Sequence, residues 1–299
     1  MSKKLFALLF VMLMLRGAAL ADGITVTDMH DREITLDQPA TRIVALTPSD
    51  CEILCAIGCE DALVGRGKYC DYPESISALP VVQSGAETNI EEILALDPQV
   101  VLMSDMSQTE EQAKLLEQNG VKVVISDAND IEGVYTAIRM IGALMAKDDE
   151  AEALIADMQA TFDEIAAKSE KSDKTIYFEV SPLQWGLWTA GSDTFMDELA
   201  TMCGVTNAFA DISGWQSISE EQVIERNPDY IVSIAGMGDT AIEEIMGRDG
   251  WGDIGAVQNG AVYNADSNAI SRPGPRLKDA AIELYHFIND VEAEEAPAA

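Results

Sequence analysis

The 299-residue chain carries 52 acidic residues against 19 Lys and Arg, a formal net charge of −33, with 47% hydrophobic content. Such an acidic chain excludes a duplex nucleic-acid partner, which needs a basic surface to displace counterions, and a polybasic dock on anionic lipid. Its length suits about two average domains, and its apolar content is enough for packed cores and excludes a disordered chain.

In chain order, Lys3 and Lys4 precede an apolar run from Leu5 to Leu15, and Ala19-Leu20-Ala21 follows. A basic start, a short apolar stretch and a small-x-small end predict a secretory signal peptide over 1–21. The run is too short to cross a bilayer as a helix, which takes about 20 residues. Cleavage after Ala21 removes Lys3, Lys4 and Arg16 and no acid, leaving 16 bases against 52 acids, a net of −36. No Cys near the cleavage site offers a lipid-anchor point. The expected location is the periplasm or the outer cell surface.

Beyond that segment, strands and helices alternate. Ile24–Thr27 and Glu33–Leu36 flank the polar turn Met29-His30-Asp31-Arg32 and predict a hairpin. Arg42–Leu46 reads as a buried strand, and Thr47-Pro48-Ser49-Asp50 is a helix-start signal. Strands near Ala62–Val64, Val100–Met103 and Val121–Ile125 alternate with helices near Ile90–Ala95 and Thr109–Gln118. From Ile131 to about Ser169 the pattern is helical throughout, and Thr175–Val180 restarts the alternation. The expected fold is α/β: two Rossmann-like lobes with central, mostly parallel sheets, joined by one long rigid helix. The expected boundaries are an N-terminal lobe over 22–146, a connecting helix over 147–170, a C-terminal lobe over 171–290 and an acidic tail over 291–299.

Five cysteines are an odd set for an exported chain. Cys51, Cys55 and Cys59 recur on one helix face among Ile53, Leu54 and Ile57, where thiols pack as small apolar groups rather than as a metal site. Cys70 is a disulfide candidate with any of those three. The two histidines, His30 and His286, are too few for a His-based metal centre.

The two halves also echo each other. Asn89-Ile90-Glu91-Glu92-Ile93-Leu94 leads through Asp97-Pro98 into Val100-Val101-Leu102, as Ser219-Glu220-Glu221-Gln222-Val223-Ile224 leads through Asn227-Pro228 into Tyr230-Ile231-Val232. Ile43-Val44-Ala45-Leu46-Thr47-Pro48 is echoed by Ile176-Tyr177-Phe178-Glu179-Val180-Ser181-Pro182. Two like lobes create a cleft, the default place for a small ligand.

With these motifs in order, the chain resembles the periplasmic substrate-binding proteins of ABC importers for cobalamin, haem and iron–siderophore complexes. The resemblance runs through Thr27-Asp28, Arg32–Leu36, Arg42–Ser49, Tyr69-Cys70-Asp71-Tyr72-Pro73, Glu91 with Leu96-Asp97-Pro98, Gly214-Trp215, Glu221 with Asn227-Pro228-Asp229, and Arg272-Pro273-Gly274-Pro275-Arg276. It spans essentially the whole chain after the signal segment and implies a fold that closes on its ligand by a small hinge motion. It implies capture of a metal chelate, corrinoid favoured over haem or ferric siderophore, as transported ligand and not as prosthetic group. The implied partners are a transmembrane permease and its cytoplasmic ATPase, with the receptor a monomer.

Carried over by position, the resemblance implies ligand contacts at Tyr69, Trp188 and Trp215, with Trp185 a neighbour. A broad apolar disc suits aromatic faces, although each ring has core packing as its competing role. Trp188 and Trp215 are expected in loops, where binding residues concentrate. Asp266 and Arg272, from the last loop before the C-terminal helix, are implied at the cleft. Arg272 facing a carboxylate suits haem or a siderophore, and Asp266 facing an amide suits a corrinoid. Tyr69 is an alternative axial ligand to haem iron. One exposed Glu per lobe, Glu91 and Glu221, is implied to meet Arg pockets of the permease, with Glu92 and Glu220 as neighbouring alternatives. The chain departs from the cobalamin relatives before Asn89, where Ser84–Thr88 carries no Trp. An exported enzyme of chelatase or hydrolase type and a ligand-sensing receptor are the competing classes. No nucleophile elbow, phosphate loop or zinc-protease helix supports the enzyme.

Overall fold

A computed structural model describes residues 23–104 and 108–289. The signal segment and the acidic tail of the sequence reading lie outside the described residues. Strands β1 (Ile24–Thr27) and β2 (Glu33–Leu36) form the expected hairpin. Asp28 closes its turn by accepting the amides of His30 and Arg32, and it ties the hairpin to Ile125.

The first large sheet contains β3 (Ile43–Ala45), β4 (Leu63–Gly67), β5 (Val81–Val82), β6 (Val100–Met103) and β7 (Lys122–Ile125). Their order is β5-β4-β3-β6-β7, with every pair parallel. The second contains β8 (Thr175–Glu179), β10 (Thr206–Asn207), β12 (Tyr230–Ser233) and β13 (Val262–Asn264), in the order β10-β8-β12-β13 and again parallel. The order β4-β3-β6-β7 maps onto β10-β8-β12-β13. The echo between Val100–Leu102 and Tyr230–Val232 therefore places both segments at the same position in their sheets.

Each sheet is buried on both faces, as parallel sheets must be when crossover helices cover them. Alternate residues go to opposite cores. Ile43, Ala45, Val100 and Leu102 face a large central core, and Val44, Val101 and Met103 face an outer one. In the second sheet Ile176, Phe178, Tyr230 and Val232 face the same central core, and Tyr177 and Ile231 face a separate outer cluster with Trp251. The shared central core makes the two sheets one packed unit.

The long helical stretch is two helices, α4 (Ile131–Leu144) and α5 (Asp148–Lys168), and α5 occupies the span expected for the connecting helix, 147–170. Ala146 turns the chain with φ of 53°, and the Lys147 amide reaches back to the Gly142 carbonyl at 2.7 Å. Gly142 permits the close approach of the two helices: a Cβ there would stand 2.5 Å from the Ala151 Cβ. Met158, Phe162 and Ile165 of α5 enter the central core.

The other helices are α1 (Pro48–Ala56), α2 (Ile90–Ala95), α3 (Glu110–Gln118), α6 (Phe195–Met202), α7 (Glu220–Arg226), α8 (Ala241–Met246), α9 (Gly255–Gln258), α10 (Ser267–Ile270) and α11 (Leu277–Asn289). Trp188 and Trp215 are in strands and not in loops as expected. They open β9 (Trp188–Ala190) and β11 (Trp215–Ser217), which pair antiparallel. At three residues each, these strands are too short to leave a period in the sequence.

Candidate functional site

A hollow of about 370 Å³ opens where the first sheet's strands end. Thr47, Pro48 and Ser49 follow β3, Ser104 follows β6, and Ser126, Asp127, Ala128 and Asn129 follow β7. Tyr69 follows β4, and Asn268, Ser271, Arg272 and Pro273 close the other side from the C-terminal half. In open α/β sheets the crevice beyond the carboxyl ends of the strands, where the strand order reverses, takes the ligand. Here that point lies between β3 and β6, and Thr47 and Ser104 occupy it.

The lining is neutral and rich in hydroxyls and amides. Asp127 is held by Ser104, whose hydroxyl donates at 2.5 Å, and it pairs with His30 at 3.1 Å. Arg272 is the one basic residue among the described lining residues, and its guanidinium is already engaged. It donates to Glu52 at 3.1 Å, Asp71 at 2.7 Å, the Tyr69 carbonyl at 3.1 Å and Asn268 at 2.9 Å. Arg276 adds two bonds to the same Glu52 carboxylate, which is buried on α1. The sequence could not reveal this role for Arg272, because Glu52 lies 220 positions away. The two arginines tie the C-terminal half to α1, and Arg272 also anchors the loop that carries Tyr69.

That loop is fixed from below as well. Arg66 donates to the carbonyls of Cys70, Ile76 and Ser77. The Tyr69 ring nevertheless stays 66% exposed. Its backbone is held, the Lys68 ammonium lies over the ring 5.5 Å from its centroid, and the exposed ring remains available for stacking.

The remaining candidates are dispersed. Trp185 is 77% exposed and Trp188 42% exposed, and neither is among the residues lining the hollow. Register places Trp188 opposite Ser217 and Trp215 opposite Ala190, so the two rings are diagonal neighbours on one face of this antiparallel pair. Trp215 is half-buried, with its ring 5.6 Å from that of Phe195. Asp266 caps α10 by accepting the amides of Asn268 and Ala269, and it stands 3.6 Å from Arg276. Its position is that of a helix cap.

Sequence reasoning missed Thr47, Ser49, Ser104, Ser126 and Asn129. The signal was available: each is among the first polar residues after a buried strand. It also missed Asp50, which sits beneath the hollow with no exposure. Thr47 donates its hydroxyl to Oδ2 of Asp50, Ser126 is the second hydroxyl beside the carboxyl, and Oδ1 has no hydrogen-bond partner among the described residues. Burial first, with nearby Asp127 adding, pushes Asp50 up to about 7 against the pull of those two hydroxyls. The native carboxyl therefore keeps its proton between about pH 4 and 7 while the unfolded chain releases it, so its contribution to stability is lost as pH rises through that window. Asp50→Asn abolishes this titration. Urea unfolding at pH 5 and pH 8 should show the wild type losing roughly 2–3 kcal/mol more than the variant, at about 1.4 kcal/mol per pH unit. Equal losses would contradict the assignment.

At the starts of α2 and α7 the geometry separates the acidic neighbours. Asn89 caps α2 and Ser219 caps α7. Glu92, although exposed, accepts the Gln83 amide at 3.0 Å, and the half-buried Glu220 accepts the Trp251 indole N–H at 3.0 Å. Glu91 and Glu221 are exposed at equivalent first-turn positions. The Glu221 carboxylate lies below its ordinary range through bonds to its own amide and to Ser219, so it is charged.

Residues 43–269 match the family described as periplasmic binding protein. The chain is 33% identical over 272 residues to an ABC transporter substrate-binding lipoprotein of Bacillus subtilis, covering 89% of this chain and 85% of the relative. It is 29% identical over 256 residues to a vitamin B12-binding protein of Vibrio campbellii, covering 83% of this chain and 90% of that one. Among solved structures, a possible iron-binding periplasmic solute-binding protein of Staphylococcus epidermidis superposes with a TM-score of 0.71. It is 31% identical, and the match covers 83% of this chain and 98% of that one.

Proposed function

The chain belongs to the periplasmic binding protein family, and from that premise we propose that it is the exported, monomeric receptor of an ABC importer for a corrinoid. It captures the ligand in the cleft beyond β3 and β6 and delivers it to a permease driven by a cytoplasmic ATPase. The observation that carries the corrinoid class is the neutral lining. Thr47, Ser49, Ser104, Ser126, Asn129, Asn268 and Ser271 offer hydroxyls and amides that match the amide arms of a corrin ring. Haem propionates and ferric siderophores with anionic groups want a free base, and Arg272 is spent on Glu52 and Asp71. A corrin disc exceeds a hollow of about 370 Å³, so one edge enters while its face rests on Tyr69. Trp188 and Trp185 extend the aromatic surface, with Trp215 behind Trp188, and Asp266 shapes the loop that carries Asn268.

The named relatives are binding proteins, which supports capture and release without turnover. Glu91 and Glu221 are the permease contacts in this reading, since Glu92 and Glu220 are bonded within their own lobes. Tyr69→Ala tests the ligand site. Losing one stacked ring should weaken corrinoid binding roughly tenfold, about 1.4 kcal/mol, with no change in unfolding midpoint. An unchanged Kd removes Tyr69 from the site.

A further inference from the structure

We infer that Cys51 and Cys70 form a disulfide that fastens the Tyr69 loop to α1. All five cysteines are thiols in the structure, and these two are fully buried together. Both sulfurs approach one carbonyl, that of Ala45, at 3.9 Å from Cys51 and 3.7 Å from Cys70, which makes the two thiols neighbours. The other three lie elsewhere. Cys59 contacts the Ile57 carbonyl, Cys55 is only half-buried beside Glu60 and Glu52, and Cys203 belongs to the C-terminal half. The three partners that sequence leaves open to Cys70 thus reduce to one.

The position ties the bond to the ligand site. Cys70 lies between Tyr69 and Asp71, and Cys51 lies on α1 between Ser49 and Glu52. Tyr69 and Ser49 line the hollow from two sides, and Asp71 and Glu52 both accept from Arg272. A covalent bond between the loop and α1 therefore fixes the spacing of two walls of the cleft.

The bond forms during folding, because both thiols are sealed from solvent afterwards and the neighbouring Cys70 thiol and burial hold the Cys51 thiol well above its ordinary pKa. A disulfide oxidant is required, such as oxidised glutathione. One thiolate attacks it, forming a mixed disulfide and releasing one reduced glutathione. The second protein thiolate then attacks the protein sulfur of that mixed disulfide and releases another. Two protein thiols and one oxidised glutathione become one protein disulfide and two glutathione thiols, which take up the two protons. In the cell this rests on the export proposed above, since exported compartments are oxidising.

The pairing is tested apart from export. Reduced, unfolded chain is refolded with a mixture of oxidised and reduced glutathione, and the monomeric fraction with native circular dichroism is alkylated after denaturation without reductant. Three alkylated cysteines and a peptide pair linking Cys51 to Cys70 are expected, with all five alkylated after reduction. The urea midpoint of the wild type should fall on reduction, and that of the Cys51→Ala/Cys70→Ala variant should not respond. Five free thiols in the refolded monomer, or a link from Cys70 to Cys55 or Cys59, overturns the pairing. The link formed in refolded but absent from cell-derived protein would instead count against export.

Discussion

Replacing Arg248 by Met should lower the unfolding free energy by roughly 3–5 kcal/mol, the usual cost of leaving a buried charge without its partner. Glu179, at the end of β8, is fully buried. Its two oxygens take two parallel bonds from Arg248 at 2.6 and 2.8 Å, the bidentate geometry that makes such pairs strong. Arg248 also holds Glu244 and stacks over the Trp251 ring, 4.4 Å from its centroid. Burial already raises the Glu179 carboxyl, with Arg248 opposing it. Without Arg248 the rise loses its main opposition and only Tyr177 still lowers it, so the native acid stays protonated to higher pH. The deficit should therefore be smaller at pH 5, where native Glu179 can be neutral, and grow as pH rises. A Glu179→Met/Arg248→Met pair, with no stranded charge, should recover most of the loss. Urea unfolding of the three proteins checks this, and a single-variant loss below about 1 kcal/mol would contradict it. The effect reaches the start of α7, where Trp251 donates to Glu220 beside the proposed docking residue Glu221.

Reversing both exposed acids, Glu91→Arg/Glu221→Arg, should abolish importer-dependent uptake and leave ligand Kd within about twofold of the wild type. Equivalent positions in two like lobes suit a pseudo-two-fold permease face, and charge pairs set the register of such a complex. Each single reversal should cost roughly tenfold or more in uptake, the cost of a like-charge contact across an interface. Glu92→Gln should have little effect on uptake. Its carboxylate serves the Gln83 amide inside its own lobe. Vesicles carrying the permease and ATPase, fed with radiolabelled ligand on each receptor variant, provide the measurement. Normal uptake by the double reversal removes the docking role.

Much of the fold is legible in the chain because the central strands of each sheet are short, mostly apolar runs between helix signals. Val100–Met103 and Tyr230–Ser233 stand out, and the repeated Asp97-Pro98 and Asn227-Pro228 turns align them. The break between α4 and α5 falls at the expected boundary between 146 and 147, but its geometry is not legible, because Ala146, an excellent helix former, takes the positive φ that normally announces itself as Gly or Asn. The pairing of β9 with β11 is hidden by the shortness of the two strands and by the helix and strand that lie between them in the chain. At the site, Tyr69 is found by resemblance, and its freedom from the core shows only in three dimensions. Arg272 illustrates the opposite case. A loop arginine beside a cleft looks like a ligand clamp until Glu52 and Asp71, distant in sequence, are seen to occupy it. The hydroxyl lining was missed because single Ser and Thr residues are commonplace, and only the shared strand-end position of Thr47, Ser104 and Ser126 distinguishes them.

The central claim is that a neutral, hydroxyl-lined cleft beside an exposed tyrosine receives a corrinoid. Titrating the purified chain, without its signal segment, with cobalamin, cobinamide, haemin and a ferric siderophore while following tryptophan fluorescence tests it most directly. The account predicts saturable quenching by the two corrinoids with submicromolar Kd, and binding of haemin and the siderophore weaker by a factor of roughly 100 or more, about 2.7 kcal/mol. Tighter binding of haemin than of either corrinoid, or no saturable response to any corrinoid, would contradict it.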